Sequence, residues 1–428
     1  MYLETMTEFL NFVESQRRLS KKYSLEKMYY YCQLFDHPEN DFRSIHIGGT
    51  NGKGSVVAYM RHILKESGYK VATYTSPYVV CFNERITFDG KYISDEDCLK
   101  YANIILSKYP QIEKEGYEFP SFFEFITLLA FLYFRDCEDL DFALIEVGLG
   151  GLLDATNVIT PLLSIITTIS FDHMNVLGNT LAEIAENKLG IVKPGIPLIS
   201  GIKDDKLRKQ FVKHTKKKKT SVTFTDFDQI KVEKMDLHGS IFAYKNETPY
   251  VIKMLGAHQI ENAALALEAI KYLNENGIID APDNVIRNGL EKTSWPGRAE
   301  IVHRDPLIIL DGGHNLDGIT RMCEFINSFK KNHYVRGVFA VAADKDKEVM
   351  IKKIDDTFDE IIFTEFSYKR SDHAYHLYEL SNHPKKQYHD DIKTIIDKVI
   401  EEPKPINVFL GSLYFVSEVR QLLKDFNK

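Results

Sequence analysis

Lys53 and Ser55 stand in the stretch Ile45-His-Ile-Gly-Gly-Thr-Asn-Gly-Lys-Gly-Ser55, and their types and spacing suit phosphate chemistry. Glycines permit a tight turn that brings backbone N–H groups close to a ligand, and a helix N-terminus beyond the turn favours an anion. The lysine adds a point charge, and the serine hydroxyl offers an oxygen to a divalent cation. The spacing departs from G-x-x-x-x-G-K-[S/T]. Ile47 occupies the first glycine position, and Gly54 separates Lys53 from Ser55. Taken alone, the stretch also fits an ordinary strand-to-helix turn with glycines for close packing. Further along, Ser76, Glu146 and His173 close or follow apolar runs. Ser55 and Glu146 together form the hydroxyl-and-carboxylate pair that holds magnesium on a nucleoside triphosphate. Glu146 by itself is an ordinary strand-end acid, and a lone histidine such as His173 is more often packed or solvated than catalytic.

These residues need elements to position them. Ile45 to Ile47 reads as a strand and Val56 to Lys65 as a helix, with the glycine turn between them. Before the strand, apolar positions at helical spacing (Leu3, Met6, Phe9, Leu10, Val13, then Leu25, Met28, Tyr29, Cys32) predict two amphipathic helices over 2–35. A second strand is expected over 68–75, ending at Ser76-Pro77, and a helix over 95–109. Phe123 to Phe134 is apolar on every face, which predicts a buried helix. Apolar strands are expected at 141–147 and 162–169, followed by a helix from about Thr180 that carries Lys188. Near-continuous apolar strands alternating with helices imply a parallel sheet covered on both faces. In such a sheet the ligand crevice lies beyond the carboxyl ends of the strands, where the glycine turn, Ser76, Glu146 and His173 all fall.

From 203 to 253 the texture turns polar, and Lys216 to Lys219 is expected to be a solvated turn. Trp295-Pro-Gly297 interrupts the helical pattern and predicts a linker. Beyond it a second βα series is expected, with strands at 307–310, 335–340, 360–364 and 407–410. The expected domains are 1–295 and 296–428.

The chain has 428 residues, 44% hydrophobic and 27% charged, the composition of an ordinary globular protein with a large core. A net charge of -7 argues against a general nucleic-acid binder. Five cysteines, odd in number and without a Cys-x-x-Cys pair, argue against a disulfide framework or a zinc ribbon. Met1 to Leu19 lacks the basic-then-apolar order of a signal peptide, and the apolar stretch Phe122 to Phe134 is too short to span a membrane. The expectation is a cytoplasmic protein without nucleic-acid or membrane partners.

Taken together the motifs resemble a known family. His46-Ile-Gly-Gly-Thr-Asn-Gly-Lys-Gly-Ser55, Thr75-Ser-Pro77, Phe82-Asn-Glu-Arg-Ile86, Ser121-Phe-Phe-Glu124, Glu146-Val-Gly-Leu-Gly-Gly151 and Leu153-Asp-Ala-Thr-Asn157 come first. Asp172-His173, Lys188-Leu-Gly-Ile191, His258-Gln-Ile-Glu-Asn262, Pro296-Gly-Arg298, Asp311-Gly-Gly-His-Asn315, Asp344-Lys-Asp346 and Gly411-Ser-Leu413 follow in order. This series resembles folylpolyglutamate synthase, often bifunctional with dihydrofolate synthase, within the Mur ligase superfamily. Gly54 after the lysine belongs to that family's own loop. The fold implied is α/β, with an N-terminal P-loop ATPase-like domain built on a mainly parallel sheet and a smaller Rossmann-like α/β C-terminal domain.

The resemblance implies roles residue by residue. Gly49, Thr50, Asn51, Gly52, Lys53, Gly54 and Ser55 hold ATP phosphates, and Asn262, Arg298 and Asp311 contact the nucleotide. Ser55, Ser76 and Glu146 hold one magnesium ion. Glu146, His173 and a carbamylated Lys188 hold a second, and a K+ ion is a further candidate. Carbamylation needs a neutral amine, which burial favours. Lys53, His173, Lys188 and His314 are the implied catalytic residues. Ser121, Phe123, Asp154 and Ala155 match positions near the pterin, and His314 and Ser412 line the inter-domain cleft in relatives. Leu152 stands where relatives usually carry arginine, Tyr78 where histidine is common, and Gly313 replaces an alanine; the first removes a charge near the crevice.

The implied reaction activates a carboxylate of folate or dihydropteroate with ATP, and the amine of L-glutamate then displaces phosphate. Aligning three substrates is worth about 7–11 kcal/mol, and closing of the two domains would exclude water. Relatives are monomers. Two alternatives remain at this point. A cell-wall ligase acting on a UDP-linked precursor would carry a further N-terminal domain and a threonine directly after the loop lysine. A nucleotide switch without ligase activity would have no use for Asp311 to Asn315 or Ser412.

Overall fold

The computed structural model describes residues 2–16, 24–245, 248–368 and 370–426. Residues 17–23, inside the expected two-helix stretch, and Met1 lie outside them. The chain divides into two compact units. The first comprises Met1–Ile169, His173–Thr225 and Leu265–Gly289, and the second Ser170–Asp172, Asp226–Ala264 and Leu290–Lys428.

The first unit carries an eight-stranded sheet. Its strands are β1 (Ser44–Gly48), β2 (Val71–Tyr74), β3 (Ile86–Phe88), β4 (Lys91–Tyr92), β5 (Phe142–Glu146), β6 (Leu163–Ile166), β7 (Leu198–Ser200) and β8 (Val222–Phe224). Their order is β4-β3-β2-β5-β1-β6-β7-β8. Every pair from β2 to β8 along that order is parallel, and β3 and β4 add an antiparallel edge. β1 and β5 are buried at every residue, as strands covered on both faces must be. The chain runs from β1 to β2 on one side, returns to β5 beside β1, then crosses to β6 on β1's other flank. β1 is therefore where the strand order reverses, the place at which open α/β sheets form a crevice.

Helices Met6–Ser15 and Glu26–Leu34 form as the apolar spacing predicts, the first closed by a Thr5–Glu8 capping box. Helix Phe122–Asp136 is buried along almost its whole length and packs with both of them in the principal core, as its uniformly apolar sequence requires. Helix Leu181–Leu189 starts at a Thr180–Glu183 capping box and presents Ile184, Ala185, Lys188 and Leu189 to the interior. The lysine run differs from expectation. Lys216 and Lys217 form the last turn of helix Asp205–Lys217, whose apolar stripe of Leu207 and Phe211 faces the core, and only Lys218 and Lys219 turn away. Lysines in a final turn suit the helix dipole.

The second unit contains a three-stranded antiparallel sheet of β9 (Ile230–Asp236), β10 (Gly239–Tyr244) and β11 (Tyr250–Ile252), which the polar texture of 203–253 concealed. It also carries a six-stranded sheet of β12 (Glu300–Arg304), β13 (Leu307–Asp311), β14 (Val335–Phe339), β15 (Glu360–Phe363), β16 (Lys386–Tyr388) and β17 (Ile406–Leu410). The order is β12-β13-β17-β14-β15-β16, parallel except for β12 against β13. β13, β14, β15 and β17 are the four expected strands, while the edge strands β12 and β16 are additional.

Candidate active site

The turn after β1 is fixed from β6. Thr50 N donates to Thr168 O at 2.8 Å, Asn51 N donates to Thr168 Oγ1 at 2.9 Å, and the Thr167 hydroxyl donates to Asn51 O at 2.6 Å. Gly49 has φ +141°, and a Cβ there would come within 1.9 Å of Thr167 Oγ1, so no side chain fits. Thr167 and Thr168 are the loop-holding residues that motif reading passed over. Their signal was two adjacent hydroxyls at the end of an apolar strand.

Gly52 precedes helix Lys53–Glu66 in the left-handed region and offers no side-chain cap, and the first turn contains no acid. A helix start with neither a side-chain cap nor a first-turn acid suits an anion. Lys53 Nζ folds back to Gly49 O and Thr50 O, both at 3.1 Å. Lys188, buried to 3% exposure on helix Leu181–Leu189, donates to the same Gly49 O at 2.9 Å. Two lysine side chains therefore meet on one carbonyl beside a helix start that has no side-chain cap. Ser55 is buried in the helix's first turn.

Neighbouring strand ends complete this edge. Glu146, the last residue of β5 and 5% exposed, accepts from the Ser76 amide at 3.2 Å, and Ser76 follows β2. Ser55, Ser76, Glu146 and Lys188 are thus carried by the turns and helices around β2, β5 and β1. His173 opens the short helix Met174–Leu177 in a left-handed conformation and is exposed. Among the described residues no three His, Cys, Asp or Glu side chains converge as a ready-made metal site. The donors present are two serines and one buried carboxylate. That set fits a hard cation such as magnesium, which takes few protein oxygens and completes its shell with water and phosphate.

The turn after β5 and the start of helix Phe122–Asp136 carry the residues that the resemblance assigns to the pterin. A Cβ on Gly148 would meet the Phe123 ring at 2.3 Å, and that ring lies 5.8 Å from Tyr74. Ser121 heads helix Phe122–Asp136, its amide donating to Glu124 Oε2 at 2.8 Å. Asp154 is buried and accepts from Leu149 N at 2.8 Å and Thr156 N at 3.0 Å. Burial pushes its carboxyl up from the usual range, while those donors oppose the shift. Ala155 follows at the start of the turn Ala155–Val158. Leu152 is exposed, yet its backbone is pinned by Leu152 N to Asn187 O at 2.8 Å and Asn157 Nδ2 to Leu152 O at 3.0 Å.

The second unit groups another set. Asp311, at the end of β13, is buried and accepts from Ala299 N at 2.9 Å and Gly313 N at 2.8 Å. Burial raises its carboxyl and Arg298 pulls it down. His314 directs Nδ1 at Gly312 O, 3.0 Å away, and Nε2 at Asp172 Oδ2, 3.6 Å away. Asp172 also receives Asn315 Nδ2 at 3.1 Å and Lys345 Nζ at 2.6 Å. Asn262, on helix Ala257–Glu275, bonds Gln259 at 3.1 Å, and Ser412 is buried just before helix Leu413–Phe426. Lys345 was noted in sequence only inside a motif; its pairing with Asp172 spans 173 residues and leaves no local trace.

The comparisons agree with this architecture. The Mur ligase middle domain matches residues 47–270, and the Mur ligase glutamate ligase domain matches residues 297–412. The dihydrofolate synthase/folylpolyglutamate synthase of Bacillus subtilis is 37% identical over 97% of this chain and 98% of its own length. The crystal structure of folylpolyglutamate synthase from Thermotoga maritima superposes with a TM-score of 0.85 at 32% identity, covering 98% of this chain and 96% of that one. A structure described as an FPGS–AMPPCP–folate complex gives a TM-score of 0.85 at 28% identity over 98% and 100% of the two chains. This chain belongs to the Mur ligases and, within them, to the folylpolyglutamate synthase/dihydrofolate synthase family of ATP-dependent ligases.

Proposed function

We propose that this chain joins L-glutamate to a folate at the expense of ATP, with the residues above in the following roles. The γ-phosphoryl passes to a folate carboxylate, giving an acyl phosphate, and the glutamate amine attacks the acyl carbon and releases phosphate. The observation that carries this reading is the uncapped, acid-free start of helix Lys53–Glu66 with Lys53 and Lys188 both directed at Gly49 O. That is a site organised for a polyanion. Lys53 leaves the loop carbonyls to meet the phosphates, while the amides of Gly49 to Ser55 align them.

Ser55, Ser76 and Glu146 would hold one magnesium ion, and Glu146, His173 and Lys188 a second. When bound, these ions neutralise charge on the phosphoryl oxygens. Carbamylation of Lys188 and a K+ ion belong to the same proposal and are read by the bicarbonate and potassium dependence of turnover. Asn262, Arg298 and Asp311 are proposed nucleotide contacts. His314 and Ser412 serve the glutamate-ligase part, while Ser121, Phe123, Asp154 and Ala155 serve the pterin. The functional division is placed at 295/296, supported by the matched ranges 47–270 and 297–412. No described helix is long and apolar enough to cross a membrane, and we propose a cytoplasmic monomer.

The Bacillus subtilis relative is named for both activities, and dihydropteroate is included as a second acceptor. Assay of ADP release with tetrahydrofolate and with dihydropteroate, each with and without glutamate, tests the proposal. Release that needs both a pterin and glutamate is expected; release indifferent to them would return the chain to a nucleotide switch.

A further inference from the structure

His46 lies two residues before the glycine turn, in the middle of β1, and is completely buried. A central strand covered on both faces normally carries an aliphatic residue here. The imidazole Nε2 is 2.8 Å from Thr156 Oγ1, and Thr156 Oγ1 is 2.5 Å from Asp154 Oδ1. Asp154 already gathers the amides of Gly148, Leu149 and Thr156, so it takes the acceptor role toward the hydroxyl as well. Thr156 therefore donates to Asp154 and accepts from His46, which fixes a neutral imidazole with its proton on Nε2. The opposite nitrogen, Nδ1, is buried without a hydrogen-bond partner among the described residues. A group held at that cost is retained for its other end, the Nε2–H.

We propose that His46 and Thr156 are positioning residues that act through Asp154, tying the strand of the phosphate turn to the turn that follows β5. The imidazole sets the direction of the Thr156 hydroxyl. The hydroxyl holds the carboxylate that closes residues 148–156 into one shape. The inference rests on the ligase reading in taking that turn as the pterin side of the site.

The test uses the full chain with Thr156→Val, Thr156→Ser, His46→Leu and His46→Gln. Glutamine can place an N–H where Nε2 stands, and serine keeps the hydroxyl. Thr156→Val and His46→Leu are expected to raise KM for the folate about tenfold, the size of one buried hydrogen bond, with KM for ATP within about twofold. The two conservative variants are expected to remain near the unaltered chain. Hydrogen exchange over residues 147–157 reads the same tie without any assay. It is expected to quicken in the valine and leucine variants and to stay slow in the serine and glutamine ones. Unchanged exchange and unchanged KM in a folded Thr156→Val, or parallel rises for ATP and folate, would overturn the positioning role. If His46→Leu does not fold, the Thr156 pair decides alone. Loss of folate-dependent turnover in the unaltered chain would instead overturn the ligase reading, leaving the exchange result to stand by itself.

Discussion

Two lysine side chains, far apart in the first unit's sequence, converge on one carbonyl oxygen of the phosphate turn. Lys53 and Lys188 both donate to Gly49 O, which places two side chains of the proposed phosphate site on one loop carbonyl. Lys188→Ala is expected to lower amide formation on the order of 10²-fold or more, as loss of a preorganised charge does. Nucleotide binding, read by fluorescence titration, should change far less. Normal turnover in that variant would remove Lys188 from the chemistry. Gly49 is a sharper constraint. Gly49→Ala forces a Cβ to 1.9 Å from Thr167 Oγ1 at φ +141°, and is expected to abolish thermal stabilisation by ATP. Gly68→Ala is the matched control. It has φ +88°, but a Cβ there would meet no described residue beyond its chain neighbours within 4 Å, so only the left-handed strain of about 1–2 kcal/mol applies and the ATP effect survives.

At the scale of elements, the phosphate turn is a three-part assembly. β1 delivers it, helix Lys53–Glu66 receives it, and β6 holds it through residues more than a hundred positions away. Thr168→Val deletes the hydroxyl that accepts from Asn51 N at 2.9 Å and donates to Asn51 O at 3.1 Å. Leaving that amide unsatisfied costs about 1–3 kcal/mol. The expected outcome is a KM for ATP raised roughly ten- to hundredfold with kcat and the folate KM little altered. Steady-state kinetics at saturating folate checks it, and equal effects on both substrates would show a general collapse instead. The buried helix Phe122–Asp136 plays a different part. It sets Phe123 against Gly148 and so shapes the turn after β5.

For the whole molecule, histidines held out of water, His46 fully and His62 in part, contribute to the response to acid. Burial pushes His46 down to about 3 and His62 down to about 4, against an ordinary value of 6.5. The unfolded chain therefore takes up protons below pH 6.5 that the folded chain refuses, so stability rises with pH across that window and falls on acidification. His46 alone is expected to remove about 2 kcal/mol between pH 7 and pH 5. Asp154 and Asp311, raised by burial, act in the opposite sense at the acid end. Denaturant midpoints at pH 7 and pH 5 measure the difference. A shallower dependence is expected for His46→Gln, and an identical slope would show that His46 is protonated in the fold.

Much of this was written in local sequence. The glycines around Lys53, Gly54 before Ser55, Glu146 at the end of an apolar run, and the helix start near Thr180 are short-range patterns, because turns, helix starts and strand alternation depend on near neighbours. Strands β1, β2, β5 and β6 of the first sheet and β13, β14, β15 and β17 of the second were legible for the same reason, whereas β3, β4, β7 and β8 are too short to show a pattern. The edge strands β12 and β16 and the sheet β9-β10-β11 were not, since half-exposed strands have weak periodicity and draw their stability from partners elsewhere. Lys216 and Lys217 read as a turn because charge masked a helix whose apolar stripe, Leu207 and Phe211, is narrow. The sequence by itself thus determined the chemistry available to this protein and the family to which its motifs belong. Only the tertiary structure decided that Thr168 grips Asn51, that Lys188 reaches Gly49, and that His46 speaks to Asp154 through Thr156. Those contacts follow from strand order, with β1 lying between β5 and β6, and strand order is fixed by the packing of the whole sheet.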